Sequence, residues 1–338
     1  MKPFLAALGS LRLTLAAMLL LVGTALAGYR NPDISLDWVT LPLALLGLNL
    51  LSVIFINKRF RQQHGLLVFH LGLLAIIVLT GIGLMTRLSA RVELVEGQSF
   101  DPAEVVTIKQ GPWHPLQLDE VHLVQGPVRV DYLSGLLRDE TQSRIWTGRD
   151  ADPMDSRMVT TREPFKAAGY RFQPTANKGY AVILTWTGVD GQTDTGAVHM
   201  DSFPLYEWKQ ENDWVTPQGE KLTLQLQQPS PVQADGPWSL QSSDLSASQL
   251  VIHRGNQSIP LERGGSVQVQ GGQLQFEDVR LWLGYSIEYN VTLLWQFVAA
   301  IIAITGLAVH FLQKFAQVPL SDPARTARGP KHRSTLHA

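Results

Sequence analysis

Apolar residues in this chain gather into four blocks, three near the N-terminus and one near the C-terminus. Arg12 and Arg30 bracket 17 residues without a charge, "LTLAAMLLLVGTALAGY". Trp38 to Asn57, "WVTLPLALLGLNLLSVIFIN", is a second charge-free run, with Pro42 in its first turn where a missing N–H costs little. "HGLLVFHLGLLAIIVLTGIGLM", from His64 to Met85, is the third, and "NVTLLWQFVAAIIAITGLAVHFLQ", from Asn290 to Gln313, is the fourth. Each is close to the ~20 apolar residues that cross a bilayer. The pattern predicts four transmembrane α-helices, at about 11–29, 38–57, 66–86 and 290–313.

Between the third and fourth blocks the period changes. "VRVDYL", "YAVILTW", "KLTLQLQ", "QLVIHR", "SVQVQ" and "QLQFEDVRLWL" alternate or are β-branched, and Gly, Pro, Asn and Asp separate them. Such runs predict antiparallel strands in a sandwich or in curved sheets. The expected architecture is a membrane protein with three N-terminal helices (within 1–88), an all-β-rich extracytoplasmic domain (89–289), a fourth helix (290–313) and a basic, turn-rich tail (314–338) expected to be disordered.

Composition adds exclusions. The 338 residues carry a net charge of -1, so no global field favours nucleic acid. There is no cysteine, which rules out disulfides, thiolate metal sites and CxxCH haem attachment on this chain. Seven of the nine Trp fall in the insert, which therefore needs a core of its own. Neither a phosphate-binding glycine loop nor a nucleophile elbow occurs in a convincing context.

Lys and Arg in the short connections set the expected orientation. Lys2 and Arg12 precede the first block, Lys58, Arg59 and Arg61 lie between the second and third, and Lys314, Arg325, Arg328, Lys331 and Arg333 follow the fourth. That places both termini in the cytoplasm and the insert outside, in a multi-pass protein of the cytoplasmic (inner) membrane; Arg87 and Arg91 argue mildly the other way. "ALAG" at 25–28 also resembles a signal-peptide cleavage site, and retention of the first span suits the charge pattern better.

His70 is the sharpest chemical feature. It lies one to two turns inside the third block, where an imidazole is either a functional group or a hydrogen-bonded packing contact. The third span runs outward and the fourth inward, so His310, three residues before Gln313, is expected at a similar depth. Two neutral imidazoles at one depth suit a metal with two axial sites, haem iron above all. His64, about 240° around the helix from His70, reads as a helix end. His114 in "GPWHPL" reads as an exposed loop residue, and His122, His199 and His253 as ordinary strand histidines. Trp38, Tyr285, Tyr289 and Trp295 read as an aromatic belt. Paired catalytic carboxylates are not apparent.

Several stretches resemble the ResB (CcsB) family of cytochrome c biogenesis proteins: "SLRLTLAAMLLLVG", "LLGLNLLSVIFINKRFRQQHGLLVFHLGLL", "RVELVEGQSF", "EPFKAAGYRFQPTANKGYAVILTW" and "LGYSIEYNVTLLWQFVAAIIAITGLAVHF". The resemblance covers most of residues 9–313. It implies a subunit of the System II cytochrome c maturation complex, non-catalytic or accessory to the haem lyase. Such a subunit works with a ResC/CcsA-like membrane protein that carries a Trp-rich haem-handling motif, and it serves apocytochrome c. It also implies that His70 matches the family's third-span ligand of a transmembrane haem, a transiently held haem b, with the second ligand supplied by His310 or by the partner. The rival readings are a membrane-tethered scaffold or sensor without a cofactor and, more weakly, a transporter subunit. The four blocks hold no Asp, Glu, Lys or Arg for an ion pathway.

Overall fold

The computed structural model describes residues 7–31, 36–57, 60, 62–147, 155–227, 236–242 and 248–316. Lys2, Lys58, Arg59, Arg61 and the basic tail beyond Lys314, on which the expected orientation leans, lie outside them. The chain divides into two compact units, Met1–Met85 with Val291–Ala338, and Thr86–Asn290.

The first unit is helical: α1 (Leu11–Arg30), α2 (Thr40–Ile56), α3 (His64–Thr86) and α4 (Leu293–Ala316). Three of these, α1, α3 and α4, are long and apolar enough to cross a bilayer. The second is apolar but only 17 residues long, because Leu36–Val39 winds as a separate 3-10 turn ahead of it. Ser10 opens α1, its hydroxyl accepting from the backbone N–H of Leu13. Asn49 on α2 is 3% exposed and fully engaged. Its amide donates to the carbonyls of Leu8 and Ser10, and its oxygen accepts from Thr14 Oγ1 at 2.8 Å. In an apolar environment those unmet groups would cost several kcal/mol each, about what a buried amide without partners costs. One side chain thus ties the start of α1 to the middle of α2.

Small residues set how α3 meets α4. A Cβ at Gly65 would sit 2.5 Å from the backbone N of His310, one at Gly72 would sit 2.7 Å from Ala303 Cβ, and one at Gly306 would sit 2.5 Å from the backbone N of Phe69. These three contacts fix one antiparallel register: Gly65 opposite His310, Phe69 opposite Gly306, Gly72 opposite Ala303. Between apolar helices in a bilayer, close backbone approach at small residues replaces the hydrophobic drive that operates in water.

The second unit is β-rich. Among the described residues its largest sheet has seven strands, in the order β2 (Val106–Gln110), β1 (Leu88–Val95), β15 (Gly272–Tyr289), β7 (Tyr170–Gly188) and β6 (Phe165–Ala167), with β14 (Ser266–Val269) beside β15 and β8 (Thr193–Ser202) beside β7. Its backbone is the pair β7 (Tyr170–Gly188) and β15 (Gly272–Tyr289), the two longest strands, in antiparallel register from Tyr289↔Tyr170 to Gly272↔Gly188. The first strand, β1 (Leu88–Val95), runs along the other edge of β15, Leu88 opposite Tyr289. Two four-stranded sheets, β11 (Trp238–Gln241), β3 (Leu123–Tyr132), β4 (Arg138–Thr147) and β5 (Ser156–Thr160), and β13 (Gln257–Leu261), β12 (Gln249–Arg254), β10 (Lys221–Gln227) and β9 (Glu211–Val215), share one core with it, built around Phe172, Tyr170, Phe276, Ile145, Leu224 and Ile252.

Two expectations fail here. Tyr285 is no belt residue: it is 1% exposed, its hydroxyl donating to Gln125 Oε1 at 2.7 Å and lying 2.6 Å from Ser143 Oγ. Gln125 Nε2 closes the ring by donating to Ser143 Oγ. Tyr289 is buried as well, while Trp38 and Trp295 are exposed. His114 is not an exposed loop residue. It is buried, with Nδ1 donating to the carbonyl of Thr86 and Nε2 2.9 Å from the Tyr170 hydroxyl, and its ring stands edge-on to Tyr289. The flanking prolines suggested a surface turn, yet the turn folds inward over the Tyr170–Tyr289 pair.

Candidate functional site

His70 sits two turns into α3 with its ring half-buried between two aromatic neighbours, Phe60 at 4.6 Å and Phe69 at 5.0 Å, both edge-on. Its Nδ1 is 2.8 Å from the carbonyl oxygen of Leu66, one turn back. A carbonyl only accepts, so Nδ1 carries the proton. In the neutral ring that leaves the Nε2 lone pair bare, and Nε2 has no hydrogen-bond partner among the described residues. An imidazole whose second nitrogen is fixed by a backbone carbonyl is the form in which histidine ligates metals. The residue therefore fits an axial ligand of haem iron in tautomer and in surroundings: one ring nitrogen is spoken for, and the neighbours are apolar rings that compete for no coordination site.

His310 lies on the seam between α3 and α4, its backbone against Gly65. In the register above, His70 is level with Thr305. The two histidine backbones are thus five residues apart along the axis, about 7.5 Å. Side chains on a helix lean toward its N-terminus, which in an antiparallel pair draws the two rings closer in depth. Around the helix they diverge, because His70 stands about 100° from Phe69 and so beside the seam rather than in it. The His310 ring touches Phe311, and no hydrogen bond or ring contact joins the two histidines among the described residues. His64 is exposed at the first residue of α3.

The β-rich unit holds a second imidazole with one nitrogen fixed. On the face of the large sheet turned away from the main core, Val95, Ala181 and Trp282 form a small buried cluster. Strand register brings them together: Val95 opposite Trp282, Arg280 opposite Ala181, and Ala181 opposite His199 of β8 (Thr193–Ser202). His199 stacks parallel to Trp282 with ring centres 5.5 Å apart, and its Nδ1 lies 3.1 Å from Glu93 Oε2. Glu93 is held in turn by the amide of Asn177 at 2.7 Å. Gly179 makes room for the indole, since a Cβ there would be 2.8 Å from Trp282 Nε1. His199, Glu93, Arg91, Arg280, Val106 and Ile108 are among the residues around an open groove of about 710 Å³. His122 is exposed, and both ring nitrogens of His253 are engaged, by Ser258 and Gln225. Among the described residues no three His, Asp or Glu side chains converge as a set that could hold a bare metal ion.

Sequence reading missed this groove because its members are far apart in the chain: Glu93 and His199 are separated by 106 residues and joined only by sheet pairing. The one available signal was the outward set of the alternating strands.

No family model matches the chain, and no curated protein does. Among solved structures, the cytochrome c haem lyase CcmF is similar at 12% identity with a TM-score of 0.27, over 89% of this chain and 34% of that one. The chain thus spans about a third of the length of that protein, and the likeness is too slight to assign a fold or a function.

Proposed function

We propose that this chain is a membrane subunit of the System II cytochrome c maturation machinery, handling haem during its delivery to apocytochrome c. In this reading all four apolar helices span the cytoplasmic membrane, both termini are cytoplasmic, and residues 89–289 form the domain on the outer side. The ligase chemistry belongs to a ResC/CcsA-like partner, since this chain offers neither cysteine nor a Trp-rich motif.

The observation that carries the reading is His70: an imidazole inside an apolar helix, Nδ1 tied to Leu66, Nε2 unengaged. Burying such a group without use would forgo a hydrogen bond, and one orienting bond is what a ligand needs. The resemblance to the ResB family supports the same residue independently. His70 would hold a haem there, and the group would supply a redox-active iron centre. The chain's own part is to hold that ligand's tautomer through Leu66 and to keep Phe60 and Phe69 packed around the ring. His310, on the neighbouring helix, is the second candidate ligand, with the partner as the alternative source.

The groove around His199 extends the reading to the outer side. A single imidazole cannot hold a bare ion, but it suits a metal that arrives already chelated by a planar ring. Arg91 and Arg280 at the rim then offer guanidinium partners for carboxylates on that ring.

The test is the visible spectrum of the full-length protein purified alone and together with its partner. A Soret band is expected, and His70→Ala should remove most of it. Colourless preparations in both states would favour a cofactor-free scaffold, and an unchanged band in His70→Ala would sink the ligand assignment.

A further inference from the structure

In the β-rich unit two cations lie together without an ion-pair partner among the described residues. Lys178 of β7 is 5% exposed, and Arg138 opens β4 (Arg138–Thr147). Both line a pocket of about 390 Å³ together with Tyr132, Asn177, Ser202 and an apolar wall that includes Phe203. Neither takes part in an ion pair among the described residues. Lys178 Nζ donates to the carbonyl of Ala176 at 3.1 Å and sits 5.4 Å from the centre of the Tyr132 ring. Arg138 Nη1 donates to the carbonyl of Thr175 at 3.0 Å and to Thr141 Oγ1 at 3.5 Å. Three N–H donors remain on Arg138 and two on Lys178.

A third donor stands idle. Tyr132 is 3% exposed, and its hydroxyl has no hydrogen-bond partner among the described residues. Buried hydroxyls are nearly always satisfied, so an orphan in a pocket wall marks a place where something else supplies the acceptor. Stacking on Trp238 (centres 4.2 Å apart, planes within 4°) fixes the Tyr132 ring, and the Trp238 N–H is bound to the Gly135 carbonyl. The phenol cannot turn away to solvent without breaking that stack.

We propose that this pocket binds a carboxylate carried on an apolar group, with Lys178 and Arg138 as the charged partners, the Tyr132 hydroxyl as a neutral donor and the Phe203–Leu205 wall against the apolar part. A burial cost already borne by the cations makes such a site selective, because an anion recovers it and a neutral molecule does not. Desolvation and the nearby Arg138 guanidinium hold the Lys178 ammonium down to about 8, as expected for a cation without its counter-ion. The proposal is independent of the haem reading and survives if that reading fails.

The experiment is calorimetric titration of the full-length protein in a neutral detergent with hexanoate and with its uncharged isostere hexanamide. Saturable one-to-one binding of hexanoate is expected, at least tenfold weaker in Lys178→Met and several-fold weaker in Tyr132→Phe and Arg138→Gln. Near pH 8.5 it should be accompanied by net proton uptake as Lys178 becomes protonated, read by repeating the titration in buffers of different ionisation enthalpy. Equal binding of hexanamide, no saturable binding of hexanoate, or unaltered affinity in Lys178→Met and Arg138→Gln would each overturn the proposal. Arg138 is partly exposed, so its variant remains a folded control should Lys178→Met misfold.

Discussion

At the scale of single residues, what the side chains do depends on which atoms are already engaged. His70 was visible in the sequence because it interrupts an apolar run, and a one-turn hydrogen bond to Leu66 is local enough to be expected. His199 was not visible, because its orienting carboxylate comes from a strand 106 residues earlier. We expect Glu93→Gln to weaken haemin binding by the full-length protein in a His70→Ala background, since an amide oxygen is a poorer acceptor than a carboxylate. Spectral titration checks it, and equal affinity for the two variants would remove His199's orienting partner from the account. Tyr285 offers a stability test. Tyr285→Phe leaves Gln125 Oε1 and Ser143 Oγ facing an apolar ring in a fully buried network. A loss of about 1–3 kcal/mol is expected in denaturant unfolding, the cost of stranding buried partners.

Elements were the most legible scale. "KLTLQLQ" and "QLVIHR" coincide with β10 (Lys221–Gln227) and β12 (Gln249–Arg254), because one face of each packs into the core and the other meets solvent or polar neighbours. The long strands were seen only in part. "YAVILTW" falls in the second half of β7, whose first half contains Pro174, Asn177 and Gly179, residues that read as a turn. Pairing with β15 overrides them, with a shift of register between Leu283 and Tyr285. For the helices, hydropathy gave the blocks, but the short α2 follows from a turn that no apolar count detects. The seam between α3 and α4 makes a sharp expectation. Gly72→Leu or Gly306→Leu must push the helices apart, since even a Cβ would meet backbone or Cβ atoms within 3 Å. Cysteines at Ile76 and Ala299, which the same register sets level and which already carry a Cβ, should crosslink in the cysteine-free protein, and the Gly72→Leu change should abolish crosslinking. Crosslinking that persists unaltered would mean that the register is not set by these glycines.

For the molecule as a whole, hydropathy sorts the chain into apolar blocks and a β-patterned insert, and the chain divides into two compact units, Met1–Met85 with Val291–Ala338 and Thr86–Asn290. What sequence could not provide was the pairing order of the fifteen strands among the described residues, because β1 with β15 and β3 with β11 are contacts across more than a hundred residues. The β-rich unit also carries a pH signature. Lys178 is held near 8 against an ordinary 10.5, so the unfolded chain binds more protons than the folded one between those values, and stability rises with pH there. Burial pushes the Tyr132 and Tyr285 hydroxyls above their ordinary 10, so their contribution is present below pH 10 and is lost as the unfolded phenols ionise. Thermal unfolding should therefore show the stability of this unit rising from about pH 8 towards pH 10, and Lys178→Met should flatten that rise. A melting temperature falling steadily from pH 7 to 10 would contradict the assignment.

The pairing of Leu88 with Tyr289 has a consequence of a different kind. The two ends of the β-rich unit leave it side by side, so the unit is an insertion closed at its neck. Lengthening or shortening anything between those two residues changes nothing about how far apart the flanking segments must be. A lineage could enlarge, trim or exchange the contents of that loop in a single genetic event while the helices kept their sequence, and an engineer could replace it by a two-residue turn for the same reason.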